Sequence, residues 1–351
     1  FRLFTYIFNS SLTFINYSLK SEIKKYFGFT LLIMSKNDLR KGLINGVICV
    51  ILIGLQPIVS ISRPSIIDAF TFSTITVIFM ALIFLPLFLI ERFRLKSLNN
   101  KDSNERLTSL LKSWKLKRNI KLFIGIGIVF AVVPVLLIIG YDLAGAVNSS
   151  LALKSEVIFA LISGYIILKE KRISKIQILF CGTLFIGLFI AITQGFFNLL
   201  ELNIGVLIIL LAVAIFTVTH TFTKSGLDRN EISSIQVVFI RNVLSGIILL
   251  ATYLFFFPIA DLILVFSPQY LIYPFIMGVD WGFSLYFWYK TLSYIQIGRA
   301  GVIMSLTPIT SAIFSWIILG DSITYFHLIG ITIVIISIYM IVREQKGLKE
   351  V

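Results

Sequence analysis

The chain has 351 residues, of which 58% are hydrophobic and only 14% are charged, whereas a soluble domain carries roughly 25% charged residues. Its mean hydropathy is +0.96. A water-soluble fold of this length could not bury so much apolar surface, so the lipid bilayer must form part of its surroundings. The net charge of +14 comes from basic residues in the gaps between apolar runs, which argues against a nucleic-acid partner.

Residues 1–33 differ from the rest of the chain, because aromatic and polar residues alternate there and lysines interrupt them. This stretch lacks the short apolar core and the small-residue cleavage site of a signal peptide. We interpret 1–33 as a non-native or disordered extension, with Met34 as the biological start and 35–41 as a basic lead into the first helix. A genuine amphipathic arm is the alternative.

Apolar segments long enough to cross a bilayer recur along the remainder of the chain, since a core of about 30 Å needs near 20 residues per helix. The pattern predicts an all-α integral membrane protein with ten transmembrane helices. The predicted spans are 42–61, 70–90, 122–141, 146–168, 176–195, 204–223, 232–257, 271–289, 300–319 and 325–342. Most of the connections are short, so neighbouring helices are expected to run antiparallel.

The basic residues fix the orientation, because cytoplasmic loops are enriched in Lys and Arg. Of the 31 lysines and arginines, 24 fall in one set of alternate loops and termini, while the other set holds Arg63 alone. The distribution predicts a multi-pass protein of the cell (plasma) membrane with both termini cytoplasmic, including the tail 343–351. The long cytoplasmic loop 91–121 carries leucines and Trp114 at helical spacing. This spacing favours a basic amphipathic helix on the membrane surface, or else a plain orientation signal.

The chain repeats itself. Residues 148–193 and 299–342 both contain an Ile-Leu pair, one further residue and an acid (Glu170, Asp321), followed by a glycine-containing helix. Glu156 and Thr307 stand at equivalent positions before that acid. The chain therefore divides into a first five-helix repeat, 42–195, and a second, 204–342. Because five is odd, the second repeat enters from the opposite face, which gives two inverted repeats, an architecture typical of secondary transporters.

The sequence resembles the EamA-type branch of the drug/metabolite transporter superfamily over roughly residues 43–342. The most specific stretch, 288–324, reads WYKTLSYIQIGRAGVIMSLTPITSAIFSWIILGDSIT. The family's Glu-Pro on helix 4 is Glu156-Val157 here, and a basic residue common on helix 2 is absent near Thr76, whereas helix 7 keeps Arg241. The resemblance implies ten helices around a central cavity and the transport of amino acids, metabolites or toxic organic compounds, often outward.

Four charged residues lie near the middle of predicted spans, where charge is costly unless it faces water or a partner. They are Lys154, Glu156, Arg241 and Asp280. On a regular α-helix two residues apart differ by about 200°, so Lys154 and Glu156 are expected to face opposite ways and to need partners on other helices. We expect all four to converge on one cavity as a substrate or proton pathway, or else to pair and hold helices together.

Other polar and aromatic side chains on the spans are further candidates for this pathway. Trp281 and Trp288 share a helix face with Ser284, and an aromatic wall suits amphipathic substrates, cations among them. His220 is a candidate proton relay or an ordinary hydrogen-bonded histidine. The remaining candidates are Gln56, Asn148 and Tyr286.

The expected function is a permease or exporter that moves a small organic metabolite, amino acid or amphipathic compound by alternating access, coupled to protons or another gradient. Two alternatives stay open: a sugar-nucleotide or phosphate-ester exchanger of the same fold, and a passive channel or scramblase. An intramembrane enzyme is disfavoured, because two His and two Cys provide neither a catalytic constellation nor a metal site. No cofactor is expected, the partners are a small-molecule substrate and the bilayer, and a homodimer is left open.

Overall fold

The computed structural model describes residues 36–101, 105–167, 174–193, 203–294, 300 and 303–347. The extension predicted for 1–33 lies outside them. By its internal contacts the chain divides into Phe1–Lys41 and Gly42–Val351. The described part of the first unit is the opening of helix α1, and the second unit contains everything that follows.

The described residues form helices joined by turns, with no β-strand among them, as the all-α prediction requires. The α-helices of the first half are α1 (Lys36–Ile61), α2 (Ala69–Lys101), α3 (Glu105–Lys112), α4 (Lys117–Ala144), α5 (Ala146–Ala152), α6 (Glu156–Ile167) and α7 (Lys175–Thr193). Those of the second half are α8 (Ile204–Asp228), α9 (Ser234–Phe256), α10 (Ile259–Val265), α11 (Pro268–Tyr294), α12 (Thr307–Phe314) and α13 (Tyr325–Gly347).

Six helices within the described residues are long and apolar enough to cross a membrane, counting α5 and α6 as one. A seventh crossing is counted if α10 and α11, which meet at an angle of 84°, form one broken span. Three further apolar helices are shorter, and they cover Lys175–Ala191, Thr307–Leu319 and Tyr325–Ile341. The chain is therefore a multi-pass membrane protein.

Two predicted boundaries differ from the observed ones. Helix α2 runs to Lys101, well into the predicted loop 91–121, and α13 runs to Gly347, past the predicted start of the tail at 343. Charged residues do not end a helix once it has left the bilayer, so hydropathy finds the edge of the lipid and not the end of the helix. The amphipathic helix predicted in the loop is α3, whose Leu110 and Leu111 carbonyls accept hydrogen bonds from Arg92 on α2.

Close packing between helices depends on glycine. A Cβ atom on Gly330 of α13 would lie 2.6 Å from the carbonyl oxygen of Gly187 on α7, and 2.6 Å from the Ala191 Cβ atom. Small residues let membrane helices approach closely where lipid offers no hydrophobic driving force. Helices α7 and α13 consequently pack along each other and share a buried cluster with α5, α6 and α12.

The segment between α1 and α2 is held by an ion pair. Arg63 donates to both carboxylate oxygens of Asp142 near the end of α4, over 2.7 and 2.5 Å, and also to the Ser60 and Ile67 carbonyls. Arg63 is thus used structurally, because a bidentate guanidinium–carboxylate pair fixes geometry as well as charge.

Candidate functional site: a cavity at two broken helices

A cavity of about 90 Å3 lies among α1, α4, α5–α6, α8, α9 and α11. Since a water molecule needs roughly 10–15 Å3 of such volume, the cavity has room for about seven. Its polar lining comes from Gln56, Lys154, Glu156, His220, Arg241 and Ser284. The remaining wall is mostly aliphatic and aromatic, and includes Phe130, Tyr141, Phe216, Trp281, Leu285 and Trp288.

The first wall element, called the first break below, is a 3₁₀ interruption of the α-helical hydrogen bonding in the fourth predicted span, which otherwise continues as one helix. Between α5 and α6, Leu153–Ser155 form a 3₁₀ turn, and Glu156 begins α6. Lys154 and Glu156 both line the cavity, so the expectation that they face opposite ways is wrong. A 3₁₀ turn advances about 120° per residue, which brings residues two apart to within about 120° of each other.

The second break lies in the ninth predicted span, where Ser305 and Leu306 form a turn before α12 begins at Thr307. Pro308 has no N–H with which to reach the carbonyl four residues earlier, that of Met304. That carbonyl accepts instead from the Thr307 hydroxyl over 2.7 Å and from Lys154 Nζ over 3.0 Å. The buried lysine of the first break therefore satisfies a backbone oxygen that proline releases at the second.

Arg241 of α9 forms another part of the wall and is only 3% exposed. Its guanidinium carbon lies 3.9 Å from the centre of the Phe130 ring, and its Nε donates to the Asn242 side-chain oxygen over 3.3 Å. Nη1 has no hydrogen-bond partner in the protein. The arginine is thus held by a ring, an amide and the Tyr289 hydroxyl, and it keeps a donor for another group.

His220 lies beside this arginine in an aromatic cage of Phe130, Phe216 and Tyr289, with ring centroids 5.4–5.8 Å away. Its Nδ1 is 3.2 Å from the Tyr289 hydroxyl. His220 lines the cavity, so it is both a hydrogen-bonded histidine and a wall residue.

Helices α1 and α11 form a wall in which hydrogen bonds link Gln56 to Ser284. Gln56 donates from Nε2 to Ser284 Oγ over 2.8 Å, and Ser284 Oγ donates to the Trp281 carbonyl. Trp281 and Trp288 line the cavity together with Ser284, as their shared helix face predicts.

Three predicted site residues lie away from the cavity wall. Asp280 is 6% exposed and does not line the cavity, and neither of its carboxylate oxygens has a hydrogen-bond partner. Asn148 lies at the start of α5. Tyr286 packs against Phe84 of α2 and Phe287 of its own helix. The structure thus brings three of the four mid-span charges to the cavity, with no ion pair joining any of the four within the described residues.

Several wall residues were not predicted from sequence. The Met304 carbonyl is a backbone group, and its only signal is Pro308 four residues later. Phe130 carried no signal, since it is one aromatic residue among many in an apolar span. Within the described part of the chain, no group of three or more His, Cys, Asp or Glu side chains could hold a metal ion.

The fold and the cavity define a multi-pass helical membrane protein with a partly polar cavity among its helices. A solved crystal structure resembles it with a TM-score of 0.57 at 10% sequence identity, covering 88% of this chain and 98% of that one, a likeness that shows the fold alone. The sequence profile of the EamA-like transporter family matches residues 40–193 and 203–343. The chain belongs to this family, and the resemblance read from its sequence is confirmed.

A curated relative is "Uncharacterized transporter YetK" of Bacillus subtilis (strain 168), which is 25% identical over 191 residues. The match covers 51% of this chain and 53% of that protein, so the chain matches about half the length of this relative. The family and the relative both point to a transporter and not to an enzyme.

Proposed function

We propose that this protein carries a small organic molecule across the membrane by alternating access through the cavity among α1, α4, α5–α6, α8, α9 and α11. The observation that carries this proposal is the Lys154–Met304 hydrogen bond, which joins the two helix breaks at the cavity wall. Broken helices at a central site are how transporters place polar backbone within a membrane. Remaking one hydrogen bond would let the two halves move against each other around a bound substrate.

The ten-helix, two-repeat architecture is part of this proposal, and the pattern of helix contacts supports it. Exchanging the repeats converts the contact of α2 with α11 into that of α9 with α4, and the contact of α9 with α11 into that of α2 with α4; all four occur. The pairs α2–α9, α5–α12 and α7–α13, which such an exchange leaves unchanged, also pack together. A two-fold relation between the repeats accounts for this pairing.

The proposed orientation places both termini in the cytoplasm and the protein in the plasma membrane. Single cysteines at Ser65, in the segment containing Arg63, and at Asn100, at the end of α2, test it in a variant with Cys49 and Cys181 replaced by alanine. Both positions are exposed. An impermeant maleimide added outside cells should label Ser65→Cys and spare Asn100→Cys until the membrane is opened. The reverse pattern, or labelling of both from outside, would refute the orientation.

Coupling to protons or to another gradient is assigned to Glu156, the one acid among the residues that line the cavity in the described part of the chain. The test is an uptake and efflux screen in proteoliposomes with imposed pH and solute gradients. Flux that responds to a second gradient supports a coupled transporter. Flux that ignores every second gradient would mean a passive channel or scramblase instead.

A further inference from the structure

The charge on the cavity wall is not balanced. Among the residues that line it, Lys154 and Arg241 are basic and Glu156 is acidic. Asp280, which would restore neutrality, does not line the cavity. With all three side chains ionised, the wall carries one excess positive charge, and such a charge is costly in a membrane unless a ligand or water meets it.

Arg241 is better placed than Lys154 to bind an anionic ligand with the excess positive charge. Lys154 donates to the Met304 carbonyl, whereas Arg241 Nη1 has no hydrogen-bond partner in the protein although the residue is 97% buried. The groups around Arg241 are the neutral Asn242 amide, the Tyr289 hydroxyl and the face of Phe130. An unpartnered N–H of a charged guanidinium calls for an oxygen acceptor, and an anionic one binds it most strongly.

The rest of the wall is suited to hydrocarbon. Phe130 lies against the guanidinium, and Phe216, Leu285 and the two tryptophans of α11 complete the lining. Only a single positive charge is unbalanced, so a phosphate ester with two negative charges would bring one charge too many. An organic cation would meet an excess of like charge.

Resting on the transport function proposed above, we propose that the cavity binds a small monocarboxylate with an apolar body, whose carboxylate pairs with the Arg241 guanidinium. The hydrocarbon portion packs between Phe130 and the wall formed by Trp281 and Trp288. A volume of about 90 Å3 fits a body of only a few carbons, because that volume corresponds to about seven water positions.

A matched set of three ligands separates charge from shape: 4-methylpentanoate, 4-methylpentanamide and 4-methylpentylamine. Binding is measured on the purified full chain in detergent, by tryptophan fluorescence and by thermal stabilisation. Two of its four tryptophans line the cavity, and the probes do not absorb where indole does. The carboxylate should bind at least tenfold more tightly than the amide or the amine. Equal affinities, or tightest binding of the amine, would overturn the proposal.

Arg241→Gln should weaken carboxylate binding at least tenfold and leave the amide unaffected. Arg94→Gln, the same substitution at an exposed arginine of α2, should bind the carboxylate as the unmodified protein does. If Arg241→Gln does not fold, Arg241→Lys keeps the charge and should still weaken binding severalfold, because it loses the planar donor. Unchanged affinity in a folded Arg241 variant would refute the site.

These binding measurements need no transport. Carboxylate binding without flux in proteoliposomes would leave the site intact and refute the transport function. Flux of other solutes with no carboxylate binding would support the transport function and refute the carboxylate site.

Discussion

The breaks in the two long helices that meet at the cavity occupy equivalent positions in the repeated sequence, yet they differ in construction. The first is a 3₁₀ turn, Leu153–Ser155, with no proline in it, and it carries a lysine and a glutamate. The second is a turn followed by Thr307 and Pro308, and it carries hydroxyl groups and no charge. Position in the repeat thus sets where the helix is interrupted, and local sequence sets how.

The difference shows what each break contributes. A 3₁₀ turn keeps its backbone hydrogen bonds, in tightened form, and so frees no carbonyl while it turns its side chains. A proline removes one N–H and releases one carbonyl. The first break therefore offers charged side chains, the second offers a backbone oxygen, and Lys154 joins them by its bond to Met304. Although the family's proline after Glu156 is lost, a 3₁₀ interruption remains between α5 and α6 within one span.

The largest effect is expected at the charged break. Lys154→Met keeps the length of the side chain but removes the donor to Met304 and leaves Glu156 without its neighbouring cation. A hydrogen bond from a charged group contributes about 1.5–3 kcal/mol, so the initial rate of uptake in proteoliposomes should fall ten- to a hundredfold. Lys175→Met, at an exposed lysine of α7, is the control. Wild-type uptake by Lys154→Met would mean that the two breaks work independently.

The helices that follow the two breaks provide the next test. In Gly330→Ala the new Cβ atom would lie 2.6 Å from the Gly187 oxygen, so the backbones of α7 and α13 must move apart. Overpacking of this kind costs about 1–3 kcal/mol, which should appear as a lower melting temperature in detergent.

The control for Gly330→Ala is Gly182→Ala on α7, because a Cβ atom at Gly182 would have no neighbouring atom within 4 Å. It should leave the melting temperature unchanged or raise it, since alanine favours helix over glycine. Equal destabilisation by both substitutions would show that Gly330 has no special role in packing α13 against α7.

The fold was largely readable from sequence, because hydropathy reports lipid contact directly. The predicted spans 70–90 and 232–257 lie within or almost coincide with α2 and α9. The interruption at Leu153–Ser155 was not readable, since no proline or glycine lies in these three residues or next to them. Its consequence, Lys154 and Glu156 on one wall, could not be predicted either, because that inference assumed a regular α-helix.

The candidate site was partly readable for a similar reason. The high free energy of a charge inside the bilayer made Lys154, Glu156 and Arg241 identifiable. It does not tell which way each side chain points around its helix. Asp280 and Trp281 are neighbours on α11, about 100° apart around the helix, and only Trp281 lines the cavity. Which of these two adjacent side chains faces the cavity is set by the rotation of α11 about its axis. That rotation depends on how α11 packs against α2, which cannot be read from one sequence.

A moderate effect is expected for the acid of the charged break. Glu156→Gln keeps the shape of the side chain and removes a proton-binding carboxylate. The rate of uptake driven by a pH gradient should therefore fall about fivefold, which corresponds to the loss of about 1 kcal/mol. The rate of uptake driven by a solute gradient alone should change less. The measurement compares both rates in the same proteoliposomes, with membrane insertion checked by expression level. An unchanged response to the pH gradient would remove Glu156 from the proton pathway.

The smallest effect is expected at the neutral break. Thr307→Val is nearly isosteric and removes the hydroxyl that donates to the Met304 carbonyl over 2.7 Å. A neutral hydrogen bond contributes about 0.5–1.5 kcal/mol, and the lower end applies here because Lys154 still donates to the same oxygen. Uptake should therefore fall only about twofold. Thr332→Val is the matched control, since this exposed threonine of α13 also donates to a backbone carbonyl of its own helix, that of Leu328, far in sequence from either break. A loss at Thr307 as large as that at Lys154 would mean that the carbonyl depends on its local hydroxyl, and that the lysine of the first repeat does not support the second.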